Sequence, residues 1–190
     1  MNIYIAWIVV AVVVVGGIVL SSMSGGELSY GGKSMMTNID RHFIEQMIPH
    51  HEGAIEMAQL ALQKSKRPEI LSLSNAIIEA QTKEIVDMRA WYLAWFGTDV
   101  LVDDGKGMGM MHGEGMQMQG MEGDLNALTA AADFDKEFLK QMIVHHEMAI
   151  MMGNMLASGT ERNEMKSLAD NIITSQSKEI EMMRSWLAAW

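Results

Sequence analysis

From Asp40 onward, apolar and polar residues alternate with the period of an α-helix. Met47 shares one half of a helical wheel with Phe43, Ile44, Ala54, Ile55, Met57, Ala58 and Leu62, while Glu45, Glu52 and Glu56 fall opposite. The pattern predicts a helix capped at Thr37 or Asn38 and running to about Gln63. Pro49 lies inside it and is expected to kink it, because its missing N–H removes a bond to the Glu45 carbonyl. A second stripe, Ile70, Leu73, Ile77, Met88, Trp91 and Trp95, predicts another helix, with Pro68 and Glu69 in its first turn and Gly97 at its end.

The whole pattern then returns. Asp40 to Trp95 aligns without a gap with Asp135 to Trp190, with roughly half of the positions identical, which marks an internal duplication. Val144 stands where the first copy has Pro49, so the fold does not require the kink. Gly159 and Thr160 are the turn and cap of the second hairpin. Two matched hairpins, each covering the other's apolar stripe, predict an all-α fold: a four-helix bundle built from duplicated helical hairpins. The hairpins occupy residues 37–96 and 133–190, joined by a linker over 97–132.

The N-terminus departs from this period. Residues 3–20 carry no charge and are rich in Val and Ile, enough to span about 27 Å of hydrocarbon as a helix. A transmembrane helix within residues 1–24 is expected; a cleaved signal segment is the alternative, with Ser22-Met23-Ser24 a poor cleavage site. Ser- and Gly-rich residues 25–36 would tether the bundle to the bilayer.

Polar residues interrupt the apolar stripes at one level. Met47-Ile48-Pro49-His50-His51-Glu52 recurs as Met142-Ile143-Val144-His145-His146-Glu147, and the wheel points both histidines of each pair into the apolar face. Gln81, Glu84, Gln176 and Glu179 fall on the inner face of the second helices. Folding each hairpin about residue 65 or 66 sets His50 opposite Gln81 and Met47 opposite Glu84. Two explanations stay open. The imidazoles, amides and carboxylates satisfy one another and fix helix register. Or neutral imidazoles and thioethers ligate a metal, with Glu84 and Glu179 as ligands or as groups orienting the histidines.

Composition narrows the chemistry. A formal charge of −10 leaves no clustered cations for a nucleic-acid backbone. Cysteine is absent and methionine numbers 21, so soft-metal chemistry has only thioether sulfur to use. Between the hairpins, Met108, Met110, Met111, Met116, Met118 and Met121, together with His112, are interleaved with glycine. Such a segment buries no core, and its thioethers suit Cu(I) or Ag(I); a compositional linker or a docking strap is the alternative. Where the first repeat has Gly53, Glu56 and Leu60, the second has Met148, Met151 and Met155, a stripe pointing away from the core.

The His-His-Glu-x-Ala-Ile stretches, the Gln-x-Lys-Glu-Ile-x-x-Met-Arg stretches and the Trp-ending hairpins give the chain a family likeness. It resembles the bacterial domain-of-unknown-function family of ferritin-like four-helix proteins with paired histidines, whose best-known members are periplasmic copper- and silver-binding proteins. The resemblance covers about residues 36–190 and implies that His50, His51, His145 and His146, with Met47 and Met142, belong to the family's signature. It implies a copper or silver ion as ligand and an extracytoplasmic location, either anchored through residues 3–20 or cleaved and soluble.

The leading expectation is a protein that binds Cu(I), Cu(II) or Ag(I), sequestering the ion or handing it to a protein partner in metal tolerance or homeostasis, without catalysis. A di-metal carboxylate oxidase is the alternative, although Glu52 and Glu147 point about 100° away from the adjoining histidines. A structural or interaction bundle without metal is the third reading.

Overall fold

The computed structural model describes the backbone of residues 32–100 and 123–190, with side chains from residue 39 onward in the first block. The chain is all-α: α1 (Gly32–Lys64), α2 (Pro68–Phe96), α3 (Leu125–Ala130), α4 (Phe134–Gly159) and α5 (Asn163–Ala189), with no strand among the described residues. The expected membrane helix at residues 3–20 lies outside the described residues. Among those described, no helix is long and apolar enough to cross a membrane.

Helix ends follow local chemistry. Pro68 occupies the first turn of α2, and Gly97 closes it at φ 72° with its N–H bonded to the Leu93 carbonyl. α1 differs from expectation: it begins at Gly32, so Thr37 and Asn38 lie within the helix and do not cap it. It also continues through Pro49 without a break. α3 was not expected. Asp124 caps it by accepting the Ala127 N–H, and buried Leu128 ties this short helix to the core. The predicted linker therefore ends in ordered structure.

α1 packs on α2, α4 packs on α5, and the two hairpins meet chiefly along α1 and α4. The core falls into two apolar clusters. One joins Phe43, Ile44, Met47 and Ile48 of α1 to Met152 and Leu156 of α4; the other joins Ala54, Met57 and Ala58 of α1 to Phe138, Leu139 and Met142 of α4. Early α1 thus lies beside late α4, and the two central helices run antiparallel.

The connection between the hairpins follows from this. Val100, at the end of the first hairpin, is buried in the first cluster, whereas Gly123 abuts Met57 of the second. Gly123 and Asp124 lie beside Gln141, part-way along α4, and α3 then carries the chain on to the start of α4, so the connection from α2 to α4 as a whole crosses from one end of the bundle to the other. A single long crossover of this kind distinguishes ferritin-like bundles from simple up-down bundles.

At each end an arginine from one hairpin locks onto the other. Arg67 pairs with Asp135 at 3.1 Å and its guanidinium lies 3.9 Å from the Trp190 ring centroid. Arg162 pairs with Asp40 at 3.0 Å and lies 4.0 Å from the Trp95 ring. The duplicated sequence thus gives a pseudo-twofold structure in which each copy clasps the other.

Candidate metal centre

Between the two apolar clusters sits the polar layer. His50, His51 and His146 are 0% exposed and His145 is 1% exposed, with Gln81 and Gln176 buried beside them. The i, i+1 spacing of each pair sends its two rings to different neighbours, and their centroids are 6.2 Å apart in both copies.

The outer member of each pair meets a carboxylate. His51 Nε2 lies 2.6 Å from Glu84 Oε2, and His146 Nε2 lies 2.6 Å from Glu179 Oε2. A carboxylate accepts, so each Nε2 carries the hydrogen and donates it, which in the neutral ring leaves the lone pair at Nδ1. Neither Nδ1 has a hydrogen-bond partner among the described residues. A carboxylate that fixes the ring and its tautomer while the other nitrogen faces inward is the usual support of a metal-binding histidine. Glu84 meets His51, one turn beyond the Met47 position that the hairpin arithmetic gave, although the turn is centred on Lys66 as expected, because side chains on antiparallel helices each lean toward their own N-terminus and meet between backbone levels.

The inner members meet at the pseudo-twofold axis. The His50 and His145 ring centroids are 3.6 Å apart, inclined at 38°, and His145 Nε2 donates to the His50 carbonyl at 2.9 Å. Both ring nitrogens of His50 lack a hydrogen-bond partner among the described residues. Burial, and after it the nearby His145, His51 and His146, hold the His50 pKa at about 2, far below the usual 6.5. His50 is therefore neutral at physiological pH and keeps a lone pair. Buried polar atoms without partners are costly, and Gln81 Oε1 and Gln176 Oε1 are in the same condition.

Of the residues proposed from sequence, the fold gathers His50, His51, Glu84, His145, His146 and Glu179 at one level, with Met47 and Met142 buried in the two apolar clusters on either side of it. Met57 and Met152 are core residues of those clusters. Met108, Met110, Met111, His112, Met116, Met118 and Met121 lie outside the described residues. His42 stands apart, exposed beside Gln46. Glu52 and Glu147 turn outward to Arg89 and Arg184. Among the described residues, no three His, Asp or Glu side chains converge closely enough to hold an ion in this arrangement. Glu84 and Glu179 are committed to the outer rings, which leaves imidazole nitrogens and thioethers as the uncommitted polar and sulfur groups around this layer. The stacking of His50 on His145 was missed from sequence, since it depends on where α1 crosses α4.

The family described as Domain of unknown function (DUF305) matches residues 40–187. The chain belongs to this family. Among DUF305 and related structures, CopM in its Cu(II)-bound form is 48% identical, with a TM-score of 0.70, over 80% of this chain and 97% of CopM. CopM is also known in Cu(I)-bound and Ag-bound forms, each 44% identical with a TM-score of 0.67 over 80% of this chain and 96% of that one. A DUF305 protein of Streptomyces coelicolor shares the fold at 23% identity and a TM-score of 0.64, over 80% of this chain and 93% of its own. Uncharacterized protein L153 of Acanthamoeba polyphaga mimivirus is 45% identical over 53 residues, 28% of this chain and 35% of that protein. The match thus spans about a third of L153, close to one hairpin in length.

Proposed function

We propose that this protein binds copper or silver ions outside the cytoplasm and sequesters them or hands them on, as part of metal tolerance or homeostasis. The observation that carries this reading is the 48% identity with CopM, a protein solved with Cu(II), Cu(I) and Ag bound, across nearly the whole of CopM. The donor chemistry supports it: four buried imidazoles, the outer two oriented by Glu84 and Glu179, and thioethers at Met47 and Met142 suit soft ions. The ion is cargo, and no catalysis is proposed. A carboxylate-bridged oxidase has less support, because Glu52 and Glu147 are paired outward with arginines.

In this reading the methionines at 108, 110, 111, 116, 118 and 121, with His112, collect further ions, and residues 3–20 tether the bundle to the membrane or are cleaved to release it. The recipient of the ion would be another metal-binding protein.

Titration of residues 25–190 with Cu(I) and Ag(I) under reducing conditions tests the proposal. Because the connection from α2 to α4 crosses the bundle, the linker methionines should be replaced by serine and not deleted. Binding that survives this change but is lost with H50Q/H145Q locates the ion in the bundle; the reverse locates it in the linker. Absence of binding by the intact protein would refute the function. Membrane fractionation with protease protection tests the location.

A further inference from the structure

The second hairpin displays sulfur that the fold does not require. Val144, Met148, Met151 and Met155 lie within an arc of about 60° on α4. Val144 is 55% exposed, Met151 47% and Met155 64%. The first hairpin builds the same helix with Gly53, Glu56 and Leu60 in place of the three methionines, so helicity does not demand them; Met151 and Met155 point to solvent, whereas Met148, expected to point away from the core, packs partly against it. Residues three and four apart on one helix face are neighbours, about 5–6 Å between Cβ atoms, and flexible thioethers at that spacing can converge on one soft ion.

The same stripe leads inward. Met148 is half-buried against the apolar cluster that contains Met152 and Met47, and Met47 lies one helical turn before His50. Met148 and Met152 are four residues apart on α4, and Met152 shares with Met47 the apolar cluster that lies between this surface stripe and the histidine layer. The four histidines are almost wholly inaccessible to water, and an unligated ion crossing the apolar cluster would meet a steep desolvation cost. Thioethers lower that cost for Cu(I) and Ag(I) while excluding hard cations, which they bind poorly.

We propose that Met148, Met151 and Met155 form a surface site for a monovalent soft ion, Cu(I) or Ag(I), and that this site loads the buried histidines by way of Met152 and Met47. The proposal rests on the soft-metal reading above. It assigns the excess of methionine in the second repeat to ion capture and gives the two hairpins different roles despite their matching cores.

The test uses the full chain labelled at the methionine methyl carbons, titrated with Ag(I). The signals of Met151 and Met155 are assigned through M151L and M155L. Both signals should shift as Ag(I) is added, and a double variant, M151L/M155L, should take Ag(I) from a chromophoric chelator into the histidine layer about tenfold more slowly with unchanged final occupancy. M151Q/M155Q, which removes sulfur without adding apolar surface, should behave alike and covers any folding defect of the leucine variant. Signals that stay fixed while other methionines shift, or loading at the wild-type rate, would overturn the proposal and leave soft-metal binding standing. Failure of the wild-type protein to take up Ag(I) at all would remove both.

Discussion

His50 and His145, equivalent residues of the two repeats, face each other with ring centroids 3.6 Å apart where α1 crosses α4. Two protonated imidazoles at that separation in a buried site would repel strongly, so the pair is stable only when at least one ring is neutral.

This makes the metal-free protein acid-sensitive. The His50 pKa is lowered in the folded state, so the unfolded chain binds more protons at any pH between about 2 and 6.5. Stability is therefore complete above pH 6.5 and falls by up to ~1.4 kcal/mol for each pH unit below it. The melting temperature at pH 5 should lie well below that at pH 7.5, and H50Q should flatten the dependence. Identical pH slopes for the variant and the wild type would disprove the assignment.

Glu84 and Glu179 hold the outer histidines. Removing the carboxylate in E84A leaves a buried His51 N–H without an acceptor and should cost about 1–3 kcal/mol. E84Q keeps a carbonyl acceptor and should cost less, with E179A and E179Q repeating the contrast at His146. Urea unfolding measures each; equal losses for Ala and Gln would show that the bond contributes little.

The two arginine clasps lie at opposite ends of the bundle, one at the α1–α2 turn and one at the α4–α5 turn. Arg67 is well exposed, so its ion pair with Asp135 contributes little and the stack on Trp190 more, together about 1 kcal/mol. R67A should lower stability by that amount and R162A by more, because its partner Asp40 is only 2% exposed and would be left a buried carboxylate without its cation; the double variant should lose their sum within about 0.5 kcal/mol. R67K, which keeps the charge but not the planar stack, should recover only part of the loss. A double variant far from additive would mean that the ends communicate through the core.

Gly97 and Gly123 share a left-handed backbone, at φ 72° and 70°. A Cβ at Gly97 meets open space, so G97A should cost only the backbone strain, about 1 kcal/mol. At Gly123 the same Cβ runs into Met57 Sδ, so G123A should cost more. Relative to M57A alone, which itself opens a cavity in the core, adding G123A should then cost only the strain. Thermal melts of these variants decide; equal losses for G97A and G123A would mean that Met57 moves aside freely.

Much of this was legible in the chain. The repeat from Asp40 to Trp190, the helix ends at Pro68 and Gly97, and the inward aim of the paired histidines follow from periodicity and local backbone chemistry, which sequence carries directly. The partner of Glu84 was displaced by one turn, because helix side chains lean toward the N-terminus and so meet partners away from the backbone position directly opposite. α3 escaped notice beside a glycine-rich segment, although Asp124 ahead of Leu125 and Leu128 is a capping signal. The arginine clasps and the His50–His145 stack lie between repeats, beyond the reach of any period along one strand of sequence.

Each hairpin supplies half of the polar layer and half of each clasp. Two separate hairpins would assemble that layer only at concentrations set by their mutual affinity. Joined in one chain, they meet at an effective concentration near the millimolar range, whatever the dilution outside. The connection from Val100 to Gly123 thus turns a second-order encounter into a first-order one, and the four histidines stay together even when the protein is scarce.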